Sequence, residues 1–356
     1  MVERHAALRL AAGTYHGGGG QGIYAVSRDR HGIWKVGDAY AGARNASFSV
    51  YSARHGLHYI VDEQTTGSVG IHRYGEQGWS RLSSVATGGS APCHVALNPA
   101  GTLLAVANYA SGSLSLIHLD ACSGLATGEI EIRHNRGSGP NAQRQEAPHA
   151  HWVGFSDDGR WLFQTDLGTD EVLSFAVDAH GRLGDRHRAY AAPPGTGPRH
   201  LLLHPRLENR AYLIGELAST LTVLDHAGGL LRDPHILSTL PQDWQGDNIV
   251  AHIAINRAAD RLYVSNRGHD SIAVFALDAD GVPTLLQHAP AGGEFPRFFL
   301  LLEDEQLVIV ANEKGQTLSS LTIGADGRLS ATGMTLPIPG AAYVLLAEPM
   351  AGHRSG

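Results

Sequence analysis

Four short stretches of this 356-residue chain bring together residue types that do polar chemistry: His149-Ala150-His151, Gly197-Pro198-Arg199-His200, Gly215-Glu216-Leu217 and Asn266-Arg267-Gly268. Histidine and glutamate exchange protons near neutral pH when their surroundings tune them. The planar arginine fork binds carboxylate or phosphate through paired hydrogen bonds. The set reads as a site that contacts or acts on an anionic small molecule, with His149, His151, Arg199, Glu216 and Arg267 as catalytic candidates. His-x-His spacing on a strand places both rings on one face and suits a metal ion. No third ligand with diagnostic spacing accompanies it, so neither a metal nor another cofactor is expected.

Five further residues are expected to contact substrate: Glu63, His94, Tyr109, Arg144 and Arg297. Arg144 lies in RGSGPNAQRQEAPHAH (136–151), a polar Gly/Pro-rich stretch that reads as a lid or binding loop. Cys93 reads as a small buried filler.

The elements that must position these residues recur along the chain. An apolar strand, a polar turn and a second alternating strand appear seven times, with turns near Gly13, Glu63, Asn108, Asp166, Gly215, Asn266 and Asn312. The spacing is roughly 50 residues, and fixed periods of that size mark repeat architectures. A short apolar strand precedes each hairpin after the first: 45–52, 92–99, 149–156, 198–205, 250–257 and 296–303. A seventh such strand, 339–348, stands near the C-terminus with no hairpin after it. Pairing it with the N-terminal hairpin completes both. The expected fold is therefore all-β: a single seven-bladed β-propeller spanning 1–356, its ring closed by the C-terminal inner strand. An array of β-sandwiches is the rival, and seven matched units exceed its ordinary repeats.

In that topology the start of each short strand and the end of the strand after it reach one face. Ser47, Cys93, His151, Arg199, Ala251 and Arg297 then occupy one equivalent position, with His94, His200 and His252 one residue later. Gln64, Tyr109, Leu167, Glu216, Arg267 and Glu313 share the turn position facing them. The polar candidates thus converge on one mouth.

Composition sets the outer bounds. The chain carries 44 Gly, 17% charged residues and a formal charge of −7, so it has no basic footprint for nucleic acid. No apolar run is long enough for a membrane span. Two cysteines make no disulfide framework, and the N-terminus lacks a signal-peptide core. A cytoplasmic monomer or small homo-oligomer acting on a small anionic substrate is expected.

The stretches GTYHGGGGQGIY, PCHVALNPAGTLLAVANYASGSLS, GSGPNAQRQEAPHAHWVGFSDDGRWLFQTDLGTDEVL, PPGTGPRHLLLHP, GELASTLTVL, STLPQDWQGDN and LYVSNRGHDSIAVF resemble the lactonase seven-bladed propellers of the 6-phosphogluconolactonase type. That group is related in fold to the 3-carboxymuconate lactonizing enzymes. The resemblance runs from about residue 11 to 323. It implies a hydrolase that opens a sugar lactone, most directly 6-phosphogluconolactone in the pentose phosphate pathway. A carboxymuconate-type cycloisomerase and a non-catalytic binding propeller are the alternatives. The family's proposed site falls on His149 or His151, Arg199, Glu216 and Arg267. Asn45-Ala46-Ser47 and Gly215 depart from the usual pattern, and the last blade, Phe295 to Leu329, is degenerate.

Overall fold

The computed structural model describes residues 7–347; Met1–Ala6 and Glu348, the end of the seventh short strand read from the sequence, lie outside them. Apart from two 3-10 turns, His16–Gly18 and Glu303–Glu305, the described regular elements are strands. They form seven four-stranded antiparallel sheets, and six of these follow simple chain order. The seventh arrangement is the expected one: Ala341–Leu346 pairs antiparallel with Leu8–Thr14, completing the sheet that continues through Ile23–Arg28 and Trp34–Tyr40. Sheet number and strand order are those of a seven-bladed β-propeller. The degenerate last repeat still makes four strands, Pro296–Leu302, Leu307–Asn312, Thr317–Ile323 and Leu329–Pro337.

The chain divides into two compact units. Residues Phe48–Ser238 hold the second to fifth sheets, which begin with Ser49–Ser52, Pro92–Leu97, Ala150–Phe155 and Pro198–Leu203. The other unit, up to Ser47 and from Thr239, holds the first, sixth and seventh sheets.

Burial grades across each sheet and explains the hydrophobic pattern. Leu103–Asn108, second in its sheet, is buried at every position, whereas the fourth strand, Ala126–His134, is largely exposed. A strand covered on both faces tolerates an unbroken apolar run; an outer strand does not need one. Neighbouring sheets meet through such strands. Leu103, Ala105, Leu114 and Leu116 pack against Val153, Leu162, Leu173 and Phe175, and Phe163 and Val172 pack against Leu213 and Leu224.

Turn side chains lock the hairpins. Asn108 Nδ2 donates to Ser113 and Ser115 hydroxyls, and Asn312 repeats the arrangement with Thr317 and Ser319. The first strands carry a second recurring device. Pro92 pairs with Asn108 and His94 with Ala107, so Cys93 is skipped. His151, Arg199 and Arg297 are skipped in the same way in their own sheets. A β-bulge of this kind bends the strand and re-aims the extra side chain. Four of the equivalent positions read from the repeats are thus bulge positions.

One buried histidine makes the second sheet acid-sensitive. His72 is 1% exposed in Ser68–Gly75, and burial, aided by Arg81 on the neighbouring strand, lowers its pKa from 6.5 to about 4. The neutral ring's contribution is complete above pH 6.5 and is lost as pH falls to about 4, because the unfolded chain takes up the proton first. Over that window the parent is expected to lose about 3 kcal/mol more than His72→Phe in urea unfolding. Parallel pH profiles for the two proteins would remove His72 as the cause.

Candidate active site

Six of the expected residues meet within Phe48–Ser238: Tyr109, Arg144, His149, His151, Arg199 and Glu216. Glu216 follows Arg210–Gly215, and its N–H donates to Gly197 O at 2.7 Å. Its side chain is 1% exposed, so its charge stands almost out of water. Each carboxylate oxygen has its own guanidinium: Arg144 Nη2 donates to Oε1 at 2.7 Å, and Arg199 Nη1 donates to Oε2. A buried carboxylate is tolerable only with such pairing.

Arg199 is set by its bulge and by Thr165, whose hydroxyl donates to Arg199 O at 2.7 Å. Its Nη1 also lies 2.6 Å from His151 Nε2. Arginine only donates, so His151 Nε2 is the acceptor and the ring proton resides on Nδ1. His151 Nε2 is 3.8 Å from Glu216 Oε2, and Nδ1 lies 3.9 Å from Cys93 Sγ. Cys93 is buried, and its thiol donates to His151 O at 3.3 Å, so the filler residue also braces the histidine's backbone.

His149 stands just before the strand rather than in it. Its ring stacks on Tyr109 at 4.5 Å between centroids, while His151 meets the same ring edge-on at 5.4 Å. The simple period-two alternation of the sequence reading is interrupted by the bulge at His151, and Tyr109 brings the two rings together instead. His149 Nδ1 faces Tyr109 O at 3.1 Å and Nε2 faces Glu146 Oε1 at 3.2 Å. Both partners are hydrogen-bond acceptors. The Glu146 carboxyl is held below the usual range by its own N–H and by the nearby His149.

Burial pushes the Tyr109 phenol upward, and the bond from Arg144 opposes the shift. Burial also disfavours the Arg144 charge, yet Glu216 and Tyr109 outweigh it and hold the guanidinium more basic than an ordinary arginine.

Two residues that the sequence reading did not select position this group. Gln145, fully buried, donates from Nε2 to Leu167 O at 2.9 Å and accepts from Asn141 N at 3.1 Å. Asp166, also fully buried, accepts from the N–H groups of His149, Gly168 and Thr169 and from Asn135 Nδ2 at 2.6 Å. Burial pushes the Asp166 carboxyl upward, while these four bonds favour its charged form. A Cβ on Gly168 would stand 1.9 Å from Ala147 O, so only glycine lets the long loop lie on this turn. Asp166 carried a signal in the repeats, since it occupies the turn position held elsewhere by Asn108, Asn266 and Asn312.

The other four expected residues have the following surroundings. His94 packs among aromatic rings, 4.0 Å from Phe48, 5.4 Å from His200 and 5.7 Å from Trp152. Glu63 sits half-buried in the turn after Leu57–Asp62. Arg267 and Arg297 belong to the other unit. There Arg267 Nη2 donates to Val250 O at 2.8 Å and its guanidinium lies over Phe295. Arg297 lies over Tyr15 and bonds its hydroxyl at 2.5 Å. Among the described residues no group of three or more His, Cys, Asp or Glu is arranged to hold a metal ion.

Comparison with known proteins adds a family and three relatives. The family described as "Lactonase, 7-bladed beta-propeller" matches residues 9–346. The 6-phosphogluconolactonase of Bacillus subtilis is 28% identical over 339 residues, covering 92% of this chain and 95% of the relative. The periplasmic gluconolactonase of Pseudomonas aeruginosa is similar in structure, with a TM-score of 0.86, 26% identity and coverage of 97% of this chain and 100% of that one. A protein from Lactobacillus plantarum has a TM-score of 0.86 at 30% identity, covering 95% of this chain and 99% of its own.

The Asp166 turn yields a stability test. Asp166→Asn keeps an acceptor for the three N–H groups but sets an amide donor against Asn135 Nδ2, and is expected to lose about 1–2 kcal/mol. Asp166→Ala strands those donors and is expected to lose about 3 kcal/mol or more in urea unfolding. An alanine variant as stable as the parent would show that Asp166 does not hold the turn.

Proposed function

Because the chain belongs to the lactonase seven-bladed β-propeller family, we propose that it opens a small anionic sugar lactone by hydrolysis, with 6-phosphogluconolactone as the substrate. The observation that carries this reading is the arrangement of Arg199, His151 and Glu216, which puts an oxyanion-binding cation, a proton acceptor and a buried counter-charge within one hydrogen-bonded group. No helix among the described residues is long and apolar enough to cross a membrane. A cytoplasmic place in the pentose phosphate pathway, as a monomer or small homo-oligomer, fits a phosphorylated substrate. The Pseudomonas relative is named as periplasmic and as a gluconolactonase, so phosphate on the substrate is a point for direct test.

In this reading His151, with its Nε2 lone pair, removes a proton from water as the water oxygen attacks the lactone carbonyl. Arg199 stabilises the oxyanion that forms. As the tetrahedral intermediate collapses, the ring C–O bond breaks and the leaving oxygen takes a proton from His149, whose Nε2 faces Glu146. Glu216 is a poor base because a guanidinium holds each of its oxygens; it orients Arg199 and balances its charge.

A rapid lactone-opening assay with 6-phosphogluconolactone, corrected for spontaneous hydrolysis, tests the assignment. His151→Ala is expected to lower kcat by about 10²–10⁴-fold, and Arg199→Ala by about 10²–10³-fold. Full turnover in either variant would overturn the role given to that residue. Muconate cyclisation by the parent in place of lactone opening would favour the cycloisomerase reading.

A further inference from the structure

Within the polar cluster, charge and exposure are unevenly shared. Arg199 is 5% exposed and Glu216 1% exposed, so this pair is a buried neutral unit. Arg144 is 35% exposed and carries the positive charge that the pair leaves over. Both of its side-chain hydrogen bonds to described residues leave from one nitrogen: Nη2 to Glu216 Oε1 at 2.7 Å and Nη2 to Tyr109 Oη at 3.4 Å. Nη1 and Nε are left to meet an acceptor from outside. A guanidinium tethered at one corner keeps enough of its fork to grip an oxyanion through paired bonds.

The tether is itself held in place. Arg144 sits between Asn141 and Gln145 in a tight turn, with its N–H donating to Asn141 Oδ1 at 3.2 Å. Gln145 is the buried side chain of that turn. It spans from Asn141 N to Leu167 O and so fixes the loop to the hairpin turn after Trp161–Asp166. A rotamer-rich side chain held this way loses less entropy when it binds.

We infer that Arg144 is the residue that selects for an anionic group carried by the substrate away from its lactone carbonyl, and that Gln145 is the positioning residue that presents it. The inference rests on the lactone reading of the site. Arg199 lies deeper, beside His151, and serves the carbonyl; Arg144, at the exposed end, serves the distant oxyanion. The two arginines on one carboxylate thus have different duties. Glu216 is the part that sets their separation.

The test compares substrates that differ only in the distant group. For the parent, Arg144→Ala and Arg144→Gln, kcat/KM is measured with 6-phosphogluconolactone and with glucono-δ-lactone. Both variants are expected to lower the ratio of phosphorylated to neutral lactone by about 10- to 100-fold. The loss should fall mainly on KM for the phosphorylated substrate. Gln145→Ala is expected to shift the ratio the same way by a smaller factor, which a general loss of stability would not do. An unchanged ratio in the Arg144 variants would overturn the selection role, whatever happens to overall rate. An unchanged ratio in Gln145→Ala would overturn the positioning role. Calorimetric titration with glucose 6-phosphate and with glucose gives the same comparison without turnover. If the parent opens no lactone but its preference for the sugar phosphate falls at least tenfold in Arg144→Ala, the lactone reading fails and the selection role stands. If that preference is unchanged, the selection role fails.

Discussion

A carboxylate almost fully withdrawn from water is the constraint around which this site is built. Glu216 stands at the end of Arg210–Gly215 with a guanidinium on each oxygen. Removing a charge from water is strongly unfavourable, and the attraction of partners offsets this only when geometry is good and the remaining lone pairs are used. Satisfying Glu216 therefore dictates where Arg199 and Arg144 lie. Arg199 in turn orients the lone pair of His151, and Arg144 draws the 136–149 loop across Tyr109. The interaction does more for arrangement than for stability, since buried ion pairs contribute little net stability compared with apolar packing.

The repeat supplies the backbone that makes this possible. Every short strand begins next to the end of its hairpin partner, and in six sheets one residue at that point is squeezed out of register. The bulge is a property of the blade and not of the site. Cys93 uses it to brace a neighbour, Arg297 uses it to reach Tyr15, and His151 and Arg199 use it to meet each other. A common scaffold device thus acquires chemistry in only some of the repeats, where the side chain delivered is polar.

This explains which parts were legible beforehand. The seven hairpins and the offset of the two chain ends followed from periodicity, and the pairing of Ala341–Leu346 with Leu8–Thr14 matches them. Arg199, Glu216 and His151 stood out because they replace ordinary turn or strand residues at equivalent positions. The bulges did not stand out, because an extra residue in one strand changes hydrogen-bond register without altering the apolar pattern. His94, expected among the substrate contacts, stands one step past the bulge in a group of aromatic rings. Gln145 was invisible for a different reason. A glutamine within a Gly/Pro-rich loop looks solvated, and only the three-dimensional closure of that loop on Leu167 makes it a buried pin.

The proposed division of roles between His151 and Glu216 follows from the same electrostatics. A base must offer a lone pair, and its conjugate acid must be reachable at the working pH. Two arginines stabilise the charged form of Glu216 and occupy both of its oxygens, which removes it from that role. His151 turns Nε2 toward a guanidinium that can only donate, so the lone pair of that nitrogen faces Arg199. A substrate carbonyl that draws Arg199 toward its oxygen would weaken the bond to His151 at the moment when the lone pair is needed. The same movement leaves Glu216 paired through Arg144, so the buried carboxylate keeps one cation throughout. Two arginines on one carboxylate are therefore more than redundancy: one can shift toward the reacting oxygen because the other remains.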